Sequence, residues 1–249
     1  MATTMWNVTY RIHRQKGQEP AHTDEFTLEV HPDVYVLDGI ERIWALRDRS
    51  LTFRHACHHS TCGACGMRVN GGEKLTCITR IRDVTHDGGT ITVEPLRNFP
   101  VISDLAVDMS ALYAAMEQVG FAQVAPVAGA LAPSERKHAP AANGDHTLRL
   151  VDCIECGLCV SACPIMATAI SFLGPAALAG AEHSGLAGEP DRLAFVDHQN
   201  GAWRCHNTFE CSAVCPSAVD PAARIMHLRK QIVGQRIKRL IRGGKEPQP

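Results

Sequence analysis

The chain has 249 residues, 45% of them hydrophobic and only 5% aromatic, and its 25 basic side chains are nearly balanced by 26 acidic ones. That length buries one large core or two modest ones, while near neutrality and few aromatic rings exclude a dispersed nucleic-acid footprint and a base-stacking surface. Eleven cysteines, an odd number confined to three groups, argue for clustered thiolates in a reducing compartment and against a disulfide scaffold.

The N-terminus lacks the basic start, apolar core and cleavage site of a secretory signal. No stretch reaches the roughly eighteen apolar residues that a membrane span requires. Alternation of polar and apolar side chains from Trp6 to His13 and from Glu25 to Val30 predicts two antiparallel strands joined across Gln15-Lys16-Gly17-Gln18-Glu19-Pro20. Asp33 is expected to cap the next helix, in which Val36, Leu37, Ile40, Ile43 and Trp44 share one face and pack across those strands.

Cys57, Cys62 and Cys65, followed by a distal Cys77, have the Cys-x4-Cys-x2-Cys spacing of plant-type [2Fe-2S] centres. Gly63, Ala64 and Gly66 are small enough for the loop to wrap a cluster and aim backbone N–H groups at its sulfurs. A strand over Leu75–Ile81 is expected to deliver Cys77 after the turn at Asn70-Gly71-Gly72, and a strand over Thr90–Glu94 to complete a small β-grasp sheet. His58 and His59 raise the question of Rieske-type ligation. Four cysteines already complete the site and adjacent imidazoles do not easily reach one iron, so both histidines are read as loop residues that tune its charge.

From Leu105 the pattern turns helical, with Met109, Leu112, Tyr113 and Met116 recurring at three and four. An Ala-, Pro- and Gly-rich connection follows from Val119 to His146. The next cysteines, Cys153, Cys156, Cys159 and Cys163 before Pro164, have the Cys-x2-Cys-x2-Cys-x3-Cys-Pro spacing of the bacterial ferredoxin run, whose fourth thiolate serves a second cluster. The partner run is Cys205, Cys211 and Cys215 before Pro216, with Thr208 where a fourth cysteine would stand. Crossing the fourth cysteines allots Cys153, Cys156, Cys159 and Cys215 to a [4Fe-4S] cluster, and Cys163, Cys205 and Cys211 to a [3Fe-4S] cluster, since a hydroxyl is a poor iron ligand beside soft thiolates. Zinc also favours cysteine pairs, but it does not need seven thiolates in two interleaved, Pro-terminated runs.

Helices are expected over Ile165–Leu173 and Ala176–Leu186 with Gly174-Pro175 as a breaker, and a short helix or loop over Asp191–Val196. A long helix from about Pro221 to Arg242 carries Ile225, Leu228, Ile232, Ile237 and Leu240 on one side. Its other side bears Arg224, Arg229, Lys230, Arg236, Lys238, Arg239, Arg242 and Lys245, read either as a solvated face or tail or as a contact for partner subunits or anionic headgroups. The expected architecture is α+β: an N-terminal β-grasp ferredoxin domain over residues 1–104, then an all-α bacterial-ferredoxin-like domain over 105–249 that includes a linker at about 119–147.

Three cluster types in one chain form a wire. No Gly-x-Gly-x-x-Gly, phosphate loop or nucleophile-base triad supplies two-electron chemistry, which must lie in a partner. The plant-type loop, the Ile102-Ser103-Asp104-Leu105 stretch, and a ferredoxin run whose partner has a non-cysteine at its second place, in that order, resemble the iron-sulfur subunits of the succinate dehydrogenase and fumarate reductase family. The resemblance spans nearly the whole chain. It implies a flavoprotein partner that oxidises succinate on FAD, a membrane-anchor partner, a quinone acceptor, and a peripheral position on the cytoplasmic face of the cell membrane. It also implies that Pro164, His206 and Thr208 line the quinone pocket. The chain departs from many relatives at Ala167-Thr168, where they carry Trp, and at His58-His59-Ser60, where they carry Arg, an acid and Gly. The same resemblance admits the reverse reaction, a quinol:fumarate reductase; a free-standing ferredoxin is the weaker alternative.

Overall fold

Strand β1 (Trp6–Arg14) turns Val8, Tyr10 and Ile12 to one face, where all three are fully buried, as a period of two requires. The computed structural model describes residues 5–120, 153–169, 171–184 and 193–241. β1 pairs antiparallel with β2 (His22–Val30), which begins three residues earlier than alternation alone suggested, in a register running from Trp6 opposite Val30 to Arg14 opposite His22.

Helix α1 (Val36–Leu46) buries Val36, Leu37, Ile40 and Ile43. Asp33 is not its cap. The Asp38 carboxylate accepts the Tyr35 N–H at 2.8 Å across the first turn, and Asp33 pairs with Arg82 at 2.6 Å instead. α1 crosses β1 at Gly39, where a Cβ would stand 2.1 Å from the Tyr10 hydroxyl, so the crossing requires glycine.

Strands β3 (Gly66–Val69), β4 (Gly72–Leu75) and β5 (Thr90–Glu94) complete a five-stranded sheet in the order β2-β1-β5-β3-β4, with β1 and β5 parallel. The strand expected over Leu75–Ile81 does not form: only Leu75 belongs to β4, and Cys77 lies on a turn, where the chain ties Thr76 to Cys65. The Thr76 N–H and hydroxyl both donate to the Cys65 carbonyl, at 3.2 and 3.0 Å.

A small ribbon, β6 (Val101–Ser103) with β7 (Ala106–Val107), precedes α2 (Ser110–Gln118). The expected helix therefore starts five residues later than Leu105. Ala106 and Val107 are taken by the ribbon, and Asp108 accepts the Ser110 N–H at 2.9 Å. Val119 and Gly120 follow the helix; the rest of the expected linker lies outside the described residues.

Among the described residues, the second half contains the helices α3 (Leu158–Ala162), α4 (Gly174–His183), α5 (Glu210–Ala213) and α6 (Pro221–Ile241). Gly174-Pro175 starts α4 and does not break a helix, since proline is well placed in a first turn. The described part of Ile165–Leu173 is turn and irregular chain, and of the short helix or loop expected over Asp191–Val196, Leu193 is helical and residues 194–196 form a turn. Residues 185–186 and 191–192 of the two expected elements lie outside the described residues.

α6 buries Ile225, Leu228 and Ile232 against α4, but Ile237 and Leu240, expected on the same packed side, are exposed. Its arginines are not a uniformly solvated face either. Arg224 is buried against Glu182 at 2.8 Å, and Arg236 pairs with Asp197 at 2.6 Å. Arg242 and Lys245 lie outside the described residues.

The two halves meet directly. Leu37, Cys65, Leu75 and Cys77 join the core of the helical half. The Asn98 amide donates to the carbonyls of Val160, Ser161 and Cys163 at 2.8, 3.2 and 3.1 Å, which collects the end of α3 onto the sheet half. Ser161 in turn donates to Glu73 at 2.9 Å and accepts the Arg97 N–H at 2.9 Å.

Candidate metal centres

Three groups of thiols emerge from these elements. The first forms on the loop between α1 and β3 and on the turn after β4, where Cys57, Cys62, Cys65 and Cys77 converge. Cys77 lies close enough to Cys65 to hydrogen-bond and feels the charge of Cys57. The loop curls through left-handed residues, His58 and Ser60 at φ 60° and Gly63 at φ 70°. This curl aims N–H groups inward: those of Thr61 and Cys62 lie 3.3 and 3.4 Å from the Cys57 sulfur. Hydrogen bonds from the His59, Cys62 and Thr61 backbone outweigh burial and bring the Cys57 thiol down to about 6, whereas burial pushes Cys77 up to about 12.

The second group mixes the two ferredoxin-type runs. Cys153 and Cys156 just before α3, and Cys159 within it, all lie within electrostatic range of Cys215, which follows α5. Leu112, Ala176 and Val219 help close an apolar cavity around these four. The Cys215 sulfur accepts the Val219 N–H at 3.3 Å. Burial raises Cys153 and Cys159 and pushes Cys156 up to about 12.

The third group is the mirror of that exchange. Cys163 of the first run faces Cys205 and Cys211 of the second. Burial pushes Cys211 up to about 12, with the charges of Cys163 and Cys205 adding to it. The Cys205 sulfur accepts the Asn207 N–H at 3.4 Å. Arg229 on α6 fastens this loop by donating to the carbonyls of Ala202, at 2.8 Å, and Cys205. Cys159 is near enough to Cys211 to feel its charge, so the second and third groups adjoin.

These donor sets fit iron-sulfur clusters. Within each group the donors are soft thiols, with backbone N–H groups turned toward sulfur. Buried thiols held high by desolvation become thiolates when a cation compensates the charge. Pro164, His206 and Thr208 are exposed around the third group, Pro164 after Cys163 and the other two on the loop between Cys205 and Cys211.

Several positioning residues were not read from the sequence. Asn98, Glu73 and Ser161 hold α3 from the other half of the molecule, and Arg229 braces the Cys205 loop. The only signal available for Arg229 was its place in a basic stripe, which usually marks a solvated face.

Residues 9–114 match the family of 2Fe-2S iron-sulfur cluster binding domains, and residues 149–219 match the 4Fe-4S dicluster domains. The chain is 38% identical over 210 residues to the fumarate reductase iron-sulfur subunit of Mycobacterium tuberculosis, covering 83% of this chain and 84% of that protein. It is 34% identical to the Haemophilus influenzae fumarate reductase iron-sulfur subunit, over 86% of this chain and 88% of the relative. A mitochondrial succinate dehydrogenase [ubiquinone] iron-sulfur subunit of rice is 29% identical over 89% of this chain and 81% of its own length. Among solved structures, a chain of the Mycobacterium smegmatis Sdh1 complex in the apo form superposes with a TM-score of 0.73 at 23% identity, covering 93% of this chain and 98% of that one, which shows a shared fold. With the plant-type loop, the crossed cysteine runs and relatives matched over most of their length, the chain belongs to the family of fumarate reductase and succinate dehydrogenase iron-sulfur subunits.

Proposed function

We propose that the chain is the electron-transfer subunit of a succinate:quinone oxidoreductase. In this reading Cys57, Cys62, Cys65 and Cys77 hold a [2Fe-2S] cluster; Cys153, Cys156, Cys159 and Cys215 hold a [4Fe-4S] cluster; and Cys163, Cys205 and Cys211 hold a [3Fe-4S] cluster. When bound, these groups supply one-electron carriers whose potentials follow cluster type and surroundings. The observation that carries the reading is the exchange of Cys215 and Cys163 between the two runs, which leaves four thiols on one side and three on the other.

The chain's own residues supply the insulation and the fixed spacing. The Cys65 and Cys77 thiols are buried at the junction with the helical half, and Asn98 locks α3 against the sheet half. Leu105 packs in the sheet core while Val107 and Met109 pack in the other, in keeping with a two-domain division in which Leu105 falls on the sheet side of the expected 104/105 boundary.

The flavoprotein partner, carrying FAD, faces the first thiol group, and a membrane anchor faces the third. There Pro164, His206 and Thr208 line a quinone pocket shared with the anchor, and the exposed His206 imidazole holds or passes a proton. No helix among the described residues is long and apolar enough to cross a membrane; by the family resemblance the chain is a peripheral subunit on the cytoplasmic face. The apolar side of α6 that outruns its core, at Ile237 and Leu240, suits burial in such an assembly.

The same chain serves equally in a quinol:fumarate reductase, the direction named for the relatives at 38% and 34% identity. Purification with partner subunits, followed by iron analysis and electron paramagnetic resonance, tests the proposal. It predicts about nine irons per chain, an oxidised-state [3Fe-4S] signal and a [2Fe-2S] signal after succinate reduction. A colourless, zinc-containing protein, or iron confined to two atoms, would overturn it.

A further inference from the structure

On α1 and the loop that carries the first thiol group, three side chains that are not among the proposed cluster ligands converge. Glu41 on α1 and His55 and His58 on the following loop bring one oxygen and two nitrogens together. His55 Nδ1 lies 3.0 Å from Glu41 Oε1, His58 Nε2 lies 3.2 Å from the same oxygen, and the two nitrogens are 3.4 Å apart. A tetrahedral zinc with bonds of roughly 2.0–2.1 Å keeps its ligand atoms about 3.3–3.4 Å apart. The three atoms therefore already stand close to the corners of one face of such a site.

Two further observations point the same way. Glu41 Oε1 is closed to solvent and accepts no hydrogen bond of ordinary geometry, so a carboxylate oxygen aimed between two imidazoles is left unsatisfied, which is costly. The ligands are also held in place. Phe53 stacks on His55 with ring centroids 5.0 Å apart, and the His58 backbone sits at φ 60°. Both imidazoles keep an open side, at 39% and 45% exposure, which leaves room for water at the fourth position.

We propose that Glu41, His55 and His58 form a binding site for a first-row divalent cation of the zinc class, with a His2Glu donor set completed by water. Its donors are side chains other than the cluster cysteines, on the loop in which His58 directly follows Cys57.

The test uses the cluster-loaded protein, its iron and sulfide content measured before and after, so that cysteine thiolates are occupied. Zinc chloride is added, loose metal is removed by desalting, and the retained zinc is examined by X-ray absorption at the zinc edge, apart from the iron. The expected result is about one zinc per chain with imidazole nitrogen and oxygen neighbours and no sulfur. His55→Gln and Glu41→Gln should each weaken retention at least about tenfold while iron content stays unchanged. Zinc bound through sulfur, no zinc retained by the wild type, or undiminished affinity in both iron-replete variants would overturn the proposal. The wild-type spectrum decides even where a variant loses its iron.

Discussion

The Cα of Gly63 lies directly against Cys156. A Cβ at Gly63 would stand 2.8 Å from the Cys156 Cβ and 2.7 Å from the Ile154 carbonyl oxygen. The loop bearing the first thiol group thus touches the run bearing the second, backbone to backbone, with no side-chain layer between them. For a chain that passes electrons singly, this contact brings the backbones that carry two of the thiol groups together.

Gly63→Ala is therefore expected to force the halves apart and to strain a residue at φ 70°, lowering stability by about 1–3 kcal/mol. Chemical denaturation checks the loss, and slower reduction of the second cluster relative to the first should accompany it. Unchanged stability and unchanged electron flow would contradict the close contact.

Arg229→Ala should loosen the Cys205 loop without disturbing the sheet half. Its guanidinium fork serves the Ala202 and Cys205 carbonyls together and lies 3.3 Å from the Asn207 side chain. The predicted outcome is preferential loss of the oxidised [3Fe-4S] resonance, with the [2Fe-2S] signal retained. Arg229→Lys should rescue only part of it, since a point charge cannot reproduce the fork. Loss of both signals in proportion would mean that Arg229 acts on folding as a whole.

Acid should weaken the sheet half through one buried network. Asp104 is fully buried; burial alone would raise its carboxyl, but hydrogen bonds from Lys16, Thr52 and Gln15, with Arg14 nearby, hold it below the usual range. Hydrogen bonds from Ser50 and Arg14 bring Asp48 down to about 2 from an ordinary 3.8. Both carboxyls are depressed in the folded state, so their stabilisation is present above the ordinary value and is lost as pH falls below it, for Asp48 from about 3.8 toward about 2. Asp104→Asn should have a lower Tm than the wild type at neutral pH and a shallower decline in acid. Parallel declines would contradict the assignment.

The proposed cysteine allotment rests on ligand number and spacing, which constrain thiolates more tightly than propensity constrains a backbone. Local elements were less legible. Asp33 has the chemistry of a cap, yet Tyr35 and Asp38 close the first turn two residues later, where the chain leaves the sheet. Gly174-Pro175 reads as a breaker, but both residues are tolerated at a helix start. The bond from Thr76 to the Cys65 carbonyl, at the turn that stands where a strand over Leu75–Ile81 was expected, joins residues eleven apart, and no periodicity signals it. The meeting of Glu41 with His55 and His58 was equally hidden, since only tertiary packing brings a helix and a loop together.

The central claim is that each ferredoxin-type run lends its last cysteine to the other's cluster. Replacing Cys215 by Ser and, separately, Cys163 by Ser, and recording paramagnetic resonance of the assembled protein oxidised and reduced, tests it most directly. Cys215→Ser should alter the reduced [4Fe-4S] signal and spare the oxidised [3Fe-4S] signal, and Cys163→Ser should do the reverse. If each substitution instead damaged the cluster of its own run, the crossed arrangement would be wrong.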